Sequence, residues 1–300
     1  MLPYSQLREQ KRLNLAASVP LSAPLTVYVE PTSVCNFNCS FCPVSLPAYK
    51  QKPDAFLRME LYRKILTDLL PFAPIKALKF YMLGEPFLHP EICEMVRLAR
   101  AFKVAERIEI TTNGSVLPEE ILDSGLDYLR VSVYSPGPNQ ILRNVRRLMD
   151  ERRGQSPFIS AKYMPTNLRD ADEFAQTWTG QVDEITVEPY HNWASTLLTS
   201  TPRTKKNCPY PHYTLAIRAN GDVMPCCVDW SGKLKLGNVR DRSLREIWNG
   251  EAREKLVTIH SSGTRRRLDA CRDCDFPETS PDDLDSLERT DDRIREICKL

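Results

Sequence analysis

Between residues 24 and 190, short β-rich runs alternate with segments whose apolar positions recur at helical spacing. The runs PLTVYVE (24–30), IKALKFYML (75–83), RIEITTN (107–113), DYLRVSVY (127–134), FISAKYM (158–164) and VDEITVEP (182–189) read as strands. Segments 57–70 and 90–103 read as amphipathic helices, the second opened by Pro90 at a first-turn position. Shorter helices are expected near 118–124, 139–150 and 170–180. This alternation predicts an α/β fold with a parallel sheet and crossover helices. Near-continuous apolar strands suit an open doubly wound sheet or a partial (β/α)6 barrel, and in either case ligands gather at the carboxyl ends of the strands.

The alternation stops near Pro189. The stretch HNWASTLLTSTPRTKKNCPYPHY reads as a loop, and YTLAIRANGDVMPCC as a hairpin turning at Asn220-Gly221. SLREIWNGEAREKL reads as one helix with Ser243 as N-cap and Glu246 completing a capping box. The tail is acidic, with a short helix expected over 284–298. The expected organisation is an extension over 1–23, an α/β unit over 24–190, a small α+β unit over 191–276 and a tail over 277–300.

A chain of 300 residues with 42% hydrophobic content can bury one large core and a smaller one. With 41 basic and 39 acidic residues the net charge is +2, which gives no field suited to nucleic acid or an anionic membrane. The N-terminus lacks the apolar core of a signal peptide, and no run approaches the roughly 18 apolar residues of a membrane span. A cytoplasmic protein is expected, and there ten cysteines are metal ligands more readily than disulfides.

Three of those cysteines, Cys35, Cys39 and Cys42, follow directly on the first strand. Three thiols cannot pair off, and they leave one position of a four-coordinate site open. On a four-iron cluster, three thiolates leave one iron free to bind an external chelator, such as the amino and carboxylate groups of an amino acid. This C-x3-C-x2-C run resembles the radical S-adenosylmethionine (SAM) superfamily. The resemblance implies a [4Fe–4S] cluster whose open iron binds SAM, reductive cleavage to a 5′-deoxyadenosyl radical, and abstraction of a substrate hydrogen. It also implies an external one-electron reductant such as flavodoxin or ferredoxin. Phe41 matches the aromatic residue that lies near adenine in the family. LGEP is similar to the family's Gly-Gly-Glu-Pro motif, with Leu83 in place of the first glycine. It marks Gly84, Glu85 and Pro86 as the holders of the SAM amino group. TTNG marks Thr112 and Asn113, and RVSVY marks Ser132, as further SAM contacts. Tyr134 replaces the acid usual in the last motif.

Cys208, Cys226, Cys271 and Cys274 form a second set, with 17, 44 and two residues between successive members. Four thiols close a site, as in a structural zinc centre or a fully ligated cluster. The layout resembles the SPASM domain, or its half-length Twitch form, which implies a second, auxiliary [4Fe–4S] cluster. Cys226 is preferred to Cys227 as the ligand because of its position after the hairpin glycine.

Glu188 and His191 lie just past the sixth strand, where barrel enzymes keep catalytic groups, and are candidates for substrate contact. The single-auxiliary-cluster layout resembles the aminocyclitol dehydrogenases of the superfamily. It implies oxidation of a secondary alcohol on a small molecule, with the auxiliary cluster as electron acceptor. Epimerisation with Cys227 or Cys298 as hydrogen donor is an alternative, and peptide modification is another. A peptide is the less expected substrate, because segment 1–23 is too short for a leader-binding domain. Strand alternation sends neighbours to opposite faces, so Cys227 is expected as a packed thiol on the far side from the site of Cys226.

Overall fold

The computed structural model describes residues 14–50, 55–154, 156–164, 168–188, 190–194 and 203–279. Cys298 and the helix expected over 284–298 lie outside the described residues. The six predicted strands form as β1 (Thr26–Val29), β2 (Ala77–Phe80), β3 (Ile108–Thr112), β4 (Tyr128–Val133), β5 (Phe158–Tyr163) and β6 (Glu184–Val187). They pair in parallel and in chain order. The intervening helices are α1 (Met59–Leu69), α2 (Ile92–Phe102), α3 (Gln140–Glu151) and α4 (Leu168–Trp178). The segment expected as a helix near 118–124 is a single 3-10 turn, Glu119–Ile121.

The strands are not apolar throughout. Leu78, Ile108, Ile110, Leu129, Val131, Ile159 and Ala161 join the core with Leu61, Ile65, Met95 and Val145 of the helices. The alternate positions Lys79, Arg130, Ser132 and Lys162 line a large internal cavity. A doubly wound sheet needs apolar residues on both faces, whereas a barrel can keep a polar lumen. The period-two alternation therefore belongs to the partial (β/α)6 barrel.

The hairpin does not form a sheet of its own. Its first strand, β7 (Thr214–Ile217), pairs in parallel with β1, placing Thr26 beside Thr214 and Val29 beside Ile217. Strands β8 (Asp222–Met224) and β9 (Gly237–Asn238) continue antiparallel. Among the described residues one nine-stranded sheet runs β6-β5-β4-β3-β2-β1-β7-β8-β9. The turn rests on Gly221, whose φ of 87° is left-handed and free of strain only for glycine.

The segment expected as one helix is two, α5 (Leu244–Trp248) and α6 (Glu251–Ser261). Ser243 and Glu246 do form the reciprocal capping box. Asn249 then leaves helical geometry, and Gly250 starts a new helix with an extended backbone. Trp248 is core, buried to 1% exposure, with its indole N–H donating to Leu21 O. Among the described residues no helix is long and apolar enough to cross a membrane.

Candidate active site

The loop after β1 carries Cys35, Cys39 and Cys42, all partly buried, and all three line the lumen cavity of about 1040 Å³. Burial raises each thiol above its ordinary pKa, Cys42 to about 11. Backbone bonds shape the loop, with Cys42 N–H donating to Cys39 O at 3.0 Å and Ser45 N–H to Cys42 O at 3.1 Å. The Phe37 N–H approaches Cys35 Sγ at 3.4 Å, and Asn113 Nδ2 lies 4.0 Å from the same sulfur. Asn113 Nδ2 also donates to Asn36 Oδ1 at 2.8 Å, which ties the end of β3 to the cysteine loop.

The LGEP turn is fastened to that loop. Glu85 N–H donates to Val34 O at 2.8 Å. A Cβ on Gly84 would stand 1.9 Å from Thr32 O, so only glycine lets the two backbones approach this closely. Gly84→Ala is therefore expected to push the turn from the cysteine loop and destabilise the fold by about 1–3 kcal/mol. Thermal unfolding measures this; an unchanged melting temperature would show that the contact is soft.

Glu85 is 2% exposed and caps the 3-10 turn Pro86–Leu88. Its Oε1 accepts from Phe87 N–H at 3.2 Å and Thr112 Oγ1–H at 2.7 Å, while Oε2 accepts from Asn113 N–H at 2.7 Å. A carboxylate offers about four acceptor positions, so about one remains for a ligand ammonium. Burial raises its pKa, opposed by the bonds from Asn113, Thr112 and Phe87. The sequence motifs at 84–86 and 112–113 are thus physically one unit. Ser132, 6% exposed, lines the same cavity.

Five aromatic rings lie in or beside the cysteine loop. Phe41 lies 5.6 Å from Tyr134 and 5.0 Å from Tyr190 between ring centroids, and Phe37 lies 5.8 Å from Tyr134. Trp193 donates its indole N–H to Phe41 O at 3.0 Å. The sequence marked Phe41 for this role; Phe37 belongs to the same loop, and Tyr134, Tyr190 and Trp193 come from distant strand ends. Beside Trp193, Asn192 N–H meets the Asp275 carboxylate at 3.0 and 3.2 Å. Asp275 follows Cys274, so this junction connects both cysteine sets.

Cys208, Cys226, Cys271 and Cys274, all buried, surround a separate cavity of about 20 Å³. Burial raises the Cys208 thiol, Cys271 to about 12 and Cys274 to about 11. Among the described residues no three His, Cys, Asp or Glu side chains converge on a single-ion site. The thiols ring a space instead. Asp229 also lines this cavity, but its carboxylate accepts from the Gly232, Lys233 and Leu234 N–H groups; the four soft thiols fit an iron–sulfur cluster. Around them stand Arg265, 1% exposed, and His260, whose Nε2 is 3.7 Å from Cys271 Sγ. Arg265 Nη1 donates to Cys271 O at 2.7 Å and Cys274 O at 3.2 Å. Sequence reasoning placed neither residue here.

Cys226 faces the small cavity and Cys227 the large one. The pair lies in the turn after β8 rather than on the strand. The expected strand alternation therefore does not apply to it, and the two thiols touch. Cys227 is not remote from the site: it is 8% exposed, packed with Tyr28 and Met82, and its thiol lies against the Cys226 thiol and the Tyr28 hydroxyl.

Glu188 and His191 both reach the lumen. Glu188 pairs with Arg130 at 3.1 Å and Lys162 at 3.4 Å. Against the upward pull of burial, these two cations hold its carboxyl below the usual range. His191 packs edge-on to Phe276 at 5.0 Å, and its Nδ1 is buried without a partner. Burial lowers its pKa, which favours the neutral imidazole. Deeper in the barrel, Lys79 pairs with Glu109 at 3.0 Å, beside Arg107.

Two family models match the chain: the Radical SAM superfamily over residues 29–157, and the iron-sulfur cluster-binding domain SPASM over 208–275. A curated relative is the S-adenosyl-L-methionine-dependent 2-deoxy-scyllo-inosamine dehydrogenase of Niallia circulans, 22% identical over 83% of this chain and 91% of its own. The PqqA peptide cyclase of Xanthomonas campestris pv. campestris (strain 8004) is 24% identical over 84% and 79%. Among solved structures, BtrN in complex with AdoMet and 2-DOIA matches with a TM-score of 0.64. It is 20% identical, over 84% of this chain and 92% of that one. Native anSMEcpe with bound AdoMet matches at 0.61, with 14% identity over 91% and 97%. At these identities the solved structures speak to the fold.

Proposed function

For this radical SAM enzyme, whose radical SAM domain is followed by a SPASM iron–sulfur domain, we propose oxidation of a secondary alcohol on a small polyol to the ketone. The two domains imply SAM and two [4Fe–4S] clusters. When bound, these groups supply a 5′-deoxyadenosyl radical and an electron acceptor. In this reading Cys35, Cys39 and Cys42 hold the first cluster, and Cys208, Cys226, Cys271 and Cys274 the second. Gly84, Glu85, Thr112, Asn113 and Ser132 seat SAM, with Phe41 and its neighbouring rings against the adenine.

The observation that carries the reading is the closed four-cysteine cavity, separated from the lumen by the adjacent residues Cys226 and Cys227. An acceptor there stands beside the substrate chamber without offering it an open coordination position. A carbinol carbon that has lost a hydrogen atom must still lose the hydroxyl proton and one electron. His191 suits the proton: it faces the lumen, its Nδ1 lacks a partner, and burial favours its neutral form. Glu188 is the poorer base, since Lys162 and Arg130 stabilise its ionised state. The polyol assignment draws on the inosamine dehydrogenase; the reading also takes an external one-electron reductant such as flavodoxin or ferredoxin, and a cytoplasmic setting. The test is anaerobic incubation of reduced, reconstituted enzyme with SAM and candidate polyols. A product lighter than substrate by two hydrogens is expected, and an isomer of equal mass would sink the reading.

One observation favours a second reading. Cys227 faces the lumen and can donate a hydrogen atom, as an epimerase requires. For a dehydrogenase, Cys227→Ala should leave turnover within a few-fold of wild type, because the thiol takes no part in the reaction. If the variant instead forms 5′-deoxyadenosine without product, and the wild-type product takes deuterium from heavy water, the epimerase replaces the dehydrogenase. A peptide substrate has the PqqA peptide cyclase as its precedent and is tested by the same mass measurement.

A further inference from the structure

Arg130 and Lys162 line the lumen from neighbouring strands, β4 and β5. Lys162 is the register partner of Ser132, and Arg130 lies two positions earlier on β4. Both therefore stand at or just below the level proposed for SAM. Glu188 is paired with both, so two cations share one carboxylate. Arg130 Nη2 turns instead to the Tyr128 hydroxyl at 3.4 Å, and its guanidinium lies 5.6 Å from the Tyr128 ring centroid. Its Nε is buried without a partner. The side chains of Arg130 and Lys162 are 18% and 17% exposed.

A buried ion costs free energy unless it is paired and hydrogen-bonded. Here one carboxylate serves two cations, which leaves a positive charge facing the cavity. The same imbalance is felt by Lys162, whose ammonium is disfavoured by burial and by Arg130 more than Glu188 restores. An anion bound in the lumen would complete the group, and the guanidinium fork matches carboxylate and phosphate oxygens. A protonated amine would meet two like charges.

We propose that Arg130 and Lys162 bind an anionic group of the substrate, so that the alcohol oxidised here carries a carboxylate or phosphate rather than an amine. The inference rests on the proposed function, since it takes the lumen as the substrate chamber. It departs from the aminocyclitol chemistry of the inosamine dehydrogenase in the charge of the substrate. The arrangement makes Arg130 and Lys162 specificity-determining residues, with Glu188 orienting both.

Calorimetric titration of the reconstituted, SAM-loaded protein with four polyols tests this: glucuronate, myo-inositol 1-phosphate, myo-inositol and 2-deoxy-scyllo-inosamine. At least one of the two anions should bind about tenfold or more tightly than the neutral polyol, the scale of one charge-assisted contact. Which anion binds distinguishes a carboxylate from a phosphate. Arg130→Met and Lys162→Met should each remove about tenfold of that preference while myo-inositol affinity stays within about twofold, and Arg130→Lys should restore part of it. Iron content and melting temperature show whether each variant folds, and the wild-type series stands without them. Equal affinities, tightest binding of the amine, or no measurable binding of either anion overturns the inference. Oxidation of the amine without anion preference sinks the inference and leaves the dehydrogenase reading standing. Tight anion binding with a product that has not lost two hydrogens does the reverse.

Discussion

Changing Cys35, Cys39 and Cys42 together to alanine should halve the iron bound after anaerobic reconstitution, from about eight to about four per chain, and abolish SAM cleavage. The two losses have one origin. These thiols sit on the single loop after β1, at the mouth of the lumen, and three of them leave an open coordination position. The second set lies in its own cavity, closed by four buried cysteines and braced by Arg265 through the Cys271 and Cys274 carbonyls. None of those braces touches the first loop, so the second cluster should assemble unaided and stay visible by electron paramagnetic resonance. Wild-type protein with about four irons and one zinc per chain would place zinc in the second site. Loss of all iron in the triple variant would mean that the sites assemble as one.

Glu85→Ala is expected to weaken SAM binding by roughly tenfold or more, the scale of one charge-assisted hydrogen bond. The effect has two parts. Oε2 keeps an acceptor position that can meet the SAM ammonium group. Both oxygens also hold Phe87 N–H, Thr112 Oγ1–H and Asn113 N–H, so removal leaves three donors beside the cavity without their acceptor. Each buried donor left unpaired costs about 1–3 kcal/mol, and Asn113 would no longer be fixed against the cysteine loop. The variant should therefore lose thermal stability as well as affinity. Glu85→Gln keeps the volume but turns an amide N–H₂ toward N–H donors, and it should fall between alanine and wild type. Equilibrium binding of labelled SAM to the reconstituted variants measures the first part and thermal unfolding the second. If Glu85→Ala binds SAM as tightly as wild type, Glu85 serves only as a brace between β2 and β3.

The parts of the chain governed by local rules were legible from the residues. The six barrel strands could be placed because their β-rich runs end at turn residues, and the Asn220-Gly221 hairpin because its turn needs a left-handed glycine. The cysteine sets were legible through their spacing, since soft thiolates at short separations have few other uses in a reducing setting. The start of α5 was legible in its capping box, but its end was not. Apolar periodicity runs on through Asn249-Gly250 and hid the break, although this dipeptide is itself a local stop signal.

Everything that depends on non-local pairing waited for the tertiary structure. The attachment of β7 to β1 joins strands nearly two hundred residues apart, and no local pattern encodes which edge a hairpin takes. That attachment sends Cys226 to one cavity and its neighbour Cys227 to the other. Spacing could rank the two cysteines but could not say what lies beyond each face. In sequence, Glu188 was a candidate for substrate contact past a strand end. Arg130 and Lys162, from two other strands, convert it into one member of a charged group, which is why the proposed base is His191, with its unpartnered Nδ1. The polar alternation of the barrel strands was present in the sequence, yet its meaning was not. A polar residue on a strand can face solvent or a lumen, and only the curving of the open sheet around a cavity separates the two, because burial is a property of the whole chain.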